Sequence, residues 1–127
     1  MGTLNVNTIA DASGTGIINV QGEGTATTNL SQGLIKVWCY TPNDGASIND
    51  SFNVSSVTDE ATGQTVVNMS NVMSNANYSI GHTTYTNVRE SWVSGDDQST
   101  GTYRTRTYDG SSYSDVGFRS QAAGDLA

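Results

Sequence analysis

The chain has 127 residues and a formal net charge of −7, because 12 acidic side chains outnumber 5 Lys and Arg. An acidic chain repels phosphates, so nucleic acid is excluded as a partner. No apolar run approaches the roughly 18 residues that span a bilayer, which excludes a membrane span. A single Cys and a single His exclude an internal disulfide and a metal cluster, and we expect no cofactor.

The apolar content is low for a folded domain. Ser, Thr, Asn and Gly supply 59 residues, whereas Leu, Ile, Val and Phe supply only 23. Disorder is one interpretation of such a composition and a lean monomeric sandwich is another, but ten aromatic residues and a single Pro argue against disorder. We favour an obligate oligomer, most simply a homotrimer, because association buries apolar surface that one small chain cannot bury alone.

Residues 1–32 are predicted to form an extended N-terminal segment. Strand-like runs at 4–9 and 17–20 are separated by small polar residues, and the segment has too little apolar mass to offset its own ordering entropy. We therefore expect it to order against a partner or sister chains by strand addition. The apolar residues that would make those contacts are Leu4, Val6, Ile9, Ile17, Ile18 and Val20.

Residues 33–127 are predicted to form an antiparallel β module. The pattern indicates strands at 34–40, 51–55, 64–69, 78–80, 83–88, 103–108 and 113–119. Pro42 and Gly45 bound a turn in which Asp-Gly supplies a positive φ. Val57 follows the strand at 51–55 out of phase, as a β-bulge requires. Asp-Gly at 109–110 predicts a hairpin whose second strand pairs back on 103–108.

Helical periodicity is missing, and turn signals recur every 8–12 residues. Both features are typical of an all-β fold, either an antiparallel β-sandwich or a meander.

Catalytic patterns are weak. His82 and Cys39 are the only residues of their kinds, no nucleophile-elbow motif surrounds any Ser, and Cys39 lies in the most apolar strand. Two carboxylate pairs, at 96–97 and 59–60, would be the candidates for glycoside hydrolysis, but both lie in turn-like segments without an apolar pocket. We expect a protein that is not an enzyme.

The aromatic residues divide into two predicted groups. Trp38, Tyr40 and Phe52 lie in apolar strands and are expected to form the core between subunits. A second group flanks polar loops and is a candidate outward contact surface for a sugar or a protein. That group comprises Trp92, Tyr103, Arg104, Arg106 and Tyr108. The two Arg residues lie on one strand face, either as a clamp for an anionic partner or paired with Asp or Glu.

An ordered set of motifs resembles a module of bacteriophage tail-fibre and minor virion proteins, best known from tailed phages of marine bacteria. A Gly-x-x-Lys-x-Trp strand at 33–38 precedes Ser-Phe-Asn-Val-Ser-Ser-Val-Thr-Asp at 51–59. A Gly-turn strand at 63–69 and an Asn-x-x-Tyr strand at 75–80 follow. The opening at 4–14 and the ending Gly-Asp-Leu-Ala at 124–127 are similar too.

The resemblance implies a non-enzymatic, trimeric virion protein that contacts other phage tail or head proteins. Residues 1–32 would then dock onto the particle, and a host-surface polysaccharide or protein could be contacted by the module. Such modules usually end a much longer fibre, whereas only residues 1–32 precede the module here, and this departure favours a short tail-fibre or tail-accessory piece. A head decoration or head-fibre protein is the first alternative, and a carbohydrate-active virion enzyme is the second.

Overall fold

Antiparallel β-sheets are the main regular structure of the computed structural model, which describes residues 6, 8–10, 12, 18–21, 25, 27–42, 45–84 and 90–127. The chain divides into two compact units, residues 1–34 and residues 35–127. The boundary expected from the sequence lies two residues earlier.

The strands are β1 (Asn19–Gln21), β2 (Thr27–Asn29), β3 (Val37–Tyr40), β4 (Asp50–Phe52), β5 (Val54–Ala61), β6 (Gln64–Met69), β7 (Ser79–Thr84), β8 (Glu90–Trp92), β9 (Thr102–Tyr108) and β10 (Phe118–Ala123). Two short helical pieces accompany them, α1 (Leu30–Gly33) and a 3-10 turn at Gly95–Asp97.

The first unit contains a two-stranded sheet in which β1 pairs with β2. The Leu30 N–H donates to the Ile18 carbonyl at 2.6 Å and continues this pairing by one residue. A lone two-stranded hairpin is marginally stable in water. The docking residues predicted from the sequence include Val6, Ile9 and Val20, all exposed, and Ile18, which is half-buried. Leu4 and Ile17 lie outside the described residues.

The second unit is built from two four-stranded antiparallel sheets. The first sheet has the order β4-β3-β10-β7, and the second has the order β5-β6-β9-β8. One hydrophobic cluster joins their inward side chains with Met73 and Tyr78 from the connection between β6 and β7. Its members are Val37, Cys39, Val67, Met69, Met73, Tyr78, Tyr103, Phe118 and Ala122. The all-β antiparallel fold expected from the sequence is confirmed, in its two-sheet form.

Asn53 is the corner at which the chain leaves the first sheet and enters the second. Its φ of 58° lies in the left-handed region, which Asn tolerates better than most residues. The side-chain amide donates to the carbonyls of Lys36 at 3.1 Å and Asn71 at 2.9 Å, and its oxygen accepts from the Asn71 N–H at 2.6 Å. One residue further, β5 shows a register shift between Val54 and Ser56, so the bulge expected before Val57 is confirmed.

Two sequence predictions about connectivity are wrong. The strands expected at 78–80 and 83–88 begin as one strand, β7, which runs through Gly81 because a Gly in a strand weakens it without ending it. The hairpin expected after Asp109 makes only a single bridge, between Tyr108 and Tyr113. The chain then crosses to the first sheet, where β10 pairs with β3 and β7.

Candidate functional site

The outer face of the first sheet carries the large aromatic residues of β3 and β4. Successive strand residues point to opposite faces, and in β3 it is Val37 and Cys39 that point into the core. Trp38 therefore points outward and is 37% exposed, and its cross-strand partner Phe52 is 54% exposed. Trp38 and Phe52 do not belong to the chain's own core. Their predicted role between subunits requires the outward position that the structure gives them.

A groove of about 670 Å³ runs along this face. Register places Tyr40 opposite both Asp50 and Arg119, and Trp38 opposite Gln121. Gly81 lies opposite Gln121 on the other side. The Arg119 guanidinium lies 4.5 Å from the centroid of the Tyr40 ring, a cation–π distance. The groove thus combines aromatic surface with one acidic, one basic and one amide side chain.

Directly beneath the groove lies the inward row of the same sheet, whose residues in β3 and β10 are closed to solvent and whose residues in β7 are half-buried. Tyr103 of the second sheet reaches across the core, and its hydroxyl lies 2.7 Å from that of Ser120. Burial raises the pKa of Tyr103, and it raises the pKa of the Cys39 thiol to about 11. Cys39 is therefore a neutral thiol at pH 7, as a structural core Cys is.

His82 packs in the same inward row. Its ring centroid lies 5.2 Å from that of Phe118, and both ring nitrogens are buried with no hydrogen-bond partner in the part of the chain that the structure describes. Burial lowers the pKa of His82 to about 4, because the charged imidazolium would lose its hydration there. The imidazole is neutral at pH 7, and no acidic side chain among the described residues is hydrogen-bonded to it to orient it for general-base work.

The two arginines of β9 form a cluster with acids of the same chain. Arg104 lies 2.6 Å from Asp97 and 2.5 Å from Glu60, and Arg106 is paired with the other oxygen of Asp97. The Asp97 side chain is buried by these contacts. Of the two interpretations left open by the sequence, the structure favours pairing within the chain over a clamp for an external anion.

The aromatic residues predicted to point outward are partly separated by the fold. Trp92 and Tyr108 lie on the outer face of the second sheet and flank Tyr113, with ring centroids 6.2 Å and 5.8 Å from it. Tyr103 is 0% exposed, so its predicted outward contact is wrong. The strict alternation of β9 could have indicated this, since Tyr103 lies on the opposite face of the strand from the polar residues Arg104 and Arg106.

Comparisons with protein-family models, with curated proteins and with solved structures found no match to this chain. Among the described residues, no helix is both long and apolar enough to cross a membrane. The same residues contain no group of three or more His, Cys, Asp or Glu side chains placed to hold a metal ion.

The groove also contains residues that sequence reasoning missed. Asp50, Arg119 and Gln121 were not singled out, because each lies alone in its own segment. They meet only through the pairing of β4, β3 and β10. The parity of Arg119 and Gln121 within β10 would have marked them as outward residues, but not as neighbours of Trp38.

Proposed function

We propose that this chain is a non-enzymatic structural component of a bacteriophage particle, a short tail-fibre or tail-accessory protein that assembles with itself as a homotrimer. The outer face of the first sheet is the self-association surface, with Trp38, Tyr40 and Phe52 at its centre. The proposal joins the motif resemblance to the geometry of this face.

One observation carries the self-association: Trp38 and Phe52 are cross-strand neighbours on an exposed face. Adjacent exposed aromatic residues on a chain with so few aliphatic residues mark a protein contact. Asp50 and Arg119 flank them with opposite charges, so a second copy meets both an apolar centre and complementary polar groups.

The acidic pair at Asp96 and Asp97 argues against the hydrolase alternative. A general acid of a glycosidase needs a raised pKa, which an apolar pocket provides. The oxygens of Asp97 are instead bonded to Arg104 and Arg106 of the same chain, so this carboxylate does not face an open apolar pocket. Replacing both acids by Asn should leave host-surface binding intact, and complete loss of a measured glycan cleavage in that variant would overturn the non-enzymatic proposal.

The test of self-association is light scattering on the purified chain at micromolar concentration. We expect a mass of about 40 kDa, three times the 13.4 kDa of one chain. The double variant W38S/F52S should remain folded by circular dichroism and run as a monomer. The matched control V72S/Y113S also removes two exposed apolar side chains, but away from this face, and should remain trimeric. A monomeric native chain, or a trimeric W38S/F52S variant, would contradict the proposal.

The position on the particle is a separate question with a separate test. Cross-linking of intact virions, followed by mass spectrometry, would identify the neighbours of this chain. Tail neighbours support the proposed assignment, whereas capsid neighbours would replace it with the head decoration or head-fibre alternative. Contact with a host-surface polysaccharide or protein is assigned to the outward residues Trp92 and Tyr108, and W92S/Y108S particles should bind host cells more weakly than native ones.

A further inference from the structure

The edge of β7 differs from the other three edges of the two sheets. The edge strands β4, β5 and β8 each carry acidic residues: Asp50 in β4, Asp59 and Glu60 in β5, and Glu90 in β8. Charges on an edge strand prevent further pairing. β7 contains no Asp, Glu, Lys, Arg or Pro, and in the described part of the chain no strand pairs with it on the side away from β10.

The hydrogen-bond parity of the sheet shows which groups of β7 face that edge. The Thr41 N–H donates to the Phe118 carbonyl, so Phe118 and every second residue after it direct their backbone groups to β3. The intervening residues of β10 bond to β7, where Gly81 is the partner of Gln121. Ile80 and His82 therefore direct their N–H and C=O groups away from β10.

The β1–β2 hairpin also has an edge with unpaired backbone groups in the described part of the chain. Leu30 and Ile18 form a hydrogen-bonded pair, so Asn19 and Gln21 direct their backbone groups to the open side of β1. A two-stranded hairpin gains stability from a third strand. Neither β1 nor β2 carries a charged residue that would oppose pairing with an uncharged edge.

We propose that β1 of one copy adds to the edge of β7 in a second copy, antiparallel, with Asn19 opposite His82 and Gln21 opposite Ile80. This inference rests on the proposed self-association and names its second contact. In this register the two β1 residues with outward N–H and C=O groups face the two β7 residues with outward groups, and both sets have the same two-residue spacing.

The register places Val20 opposite Gly81, on the outer face of the first sheet. Val20 is 49% exposed within its own unit, and Gly81 presents no side chain at the end of the groove. The Val20 side chain of one copy therefore covers the groove beside Gly81 and Gln121 of the next. The contact joins two different surfaces, which is the head-to-tail type, and such contacts close a ring of three when each copy is rotated by about 120° from the last.

Paired cysteines test the register directly. A V20C variant is mixed with a G81C variant, unfolded and refolded together so that subunits exchange, and oxidised with diamide. We expect a disulfide-linked dimer in the mixture but not in either variant alone, where only the buried Cys39 is otherwise available. V20C mixed with T62C is the matched control, because Thr62 is exposed in the turn after β5 and should not cross-link.

A charge placed on the hairpin provides a second measurement. V20K should weaken the trimer, so that the chain concentration at which it dissociates rises at least tenfold. It should not abolish assembly, since the outer face of the first sheet still holds the subunits together. V72K adds the same charge at a residue of the second unit that is exposed to a similar extent and belongs to neither proposed contact, and should leave assembly unchanged. A trimer that shows no V20C–G81C cross-link and is indifferent to V20K would overturn the strand addition and leave the proposed function standing. A monomeric native chain would overturn both.

Discussion

Replacing His82 by Leu should remove a specific loss of stability on mild acidification. In the native chain the imidazole packs against Phe118, neither nitrogen bonds to another described residue, and its pKa is lowered from the ordinary value of 6.5 to about 4. The unfolded chain then binds a proton near pH 6.5, whereas the folded chain binds it only near pH 4. Stability from this group is therefore complete above pH 6.5 and is lost progressively down to pH 4.

The size of the effect follows from that interval. The full shift corresponds to about 3 kcal/mol, of which about 2 kcal/mol is lost between pH 7.5 and pH 5.0. The two pH values keep the measurement clear of the pI near 4.2, where the chain would associate. Leu fills a similar volume without a titrating group, so His82→Leu should retain only the pH dependence of the other groups.

Urea unfolding followed by Trp fluorescence, at fixed chain concentration, gives the free energy of unfolding of both proteins at both pH values. The native chain should lose about 2 kcal/mol more than His82→Leu on going from pH 7.5 to 5.0. His82 is the only His of the chain, so its ring signal can also be titrated by NMR without ambiguity. An imidazole that titrates near pH 6.5 in the folded chain, or two proteins with the same pH dependence, would refute this account of the burial.

Three further predictions concern the corner, the ion pairs and the N-terminal segment. Asn53→Ala should cost about 2–3 kcal/mol in urea unfolding and Asn53→Gly about 1 kcal/mol less, because Gly keeps the positive φ while both lose the side-chain bonds. Asp97→Asn should lower the free energy of unfolding by about 2 kcal/mol, since Arg104 and Arg106 lose their shared partner, whereas the same change at exposed Asp96 should be neutral. Deletion of residues 2–30 should leave a protein that still assembles at high concentration but is absent from purified particles; normal incorporation would show that this segment is not the anchor.

The fold class could be predicted because it depends on local signals. Turn residues and alternation are properties of neighbouring positions, and the bulge before Val57 is visible as a change of phase. The orientation of each strand could not be predicted in the same way. The run at 34–40 contains one polar residue, Lys36, which has the parity of Trp38, but it precedes β3 and is itself buried. It therefore does not mark the outer face, and Trp38 is as plausible inward as Cys39 until the sheet is formed.

The site depended on pairing between distant segments. Asp50, Arg119 and Trp38 meet because β10 inserts between β3 and β7, an arrangement that the hairpin signal at Gly110 did not predict. Such crossovers are decided by which apolar faces can be buried together, and that is a property of the whole chain. The sequence does show that Tyr103 lies on the opposite face of β9 from Arg104 and Arg106. Predicting its burial requires treating one of those two faces as the core face.

The positive side chains of the described residues are buried or bound within the chain, and this affects how fast copies associate in solution. Lys36 is buried, Arg104 and Arg106 are bound to acids, and Arg119 lies over Tyr40, while Arg89 is outside the described residues. Carboxylates therefore dominate the electrostatic field around each copy, and approaching copies repel one another. Salt at 0.1 M shortens the range of that repulsion to about 10 Å, so assembly should quicken as ionic strength rises, opposite to a complex steered by unlike charges.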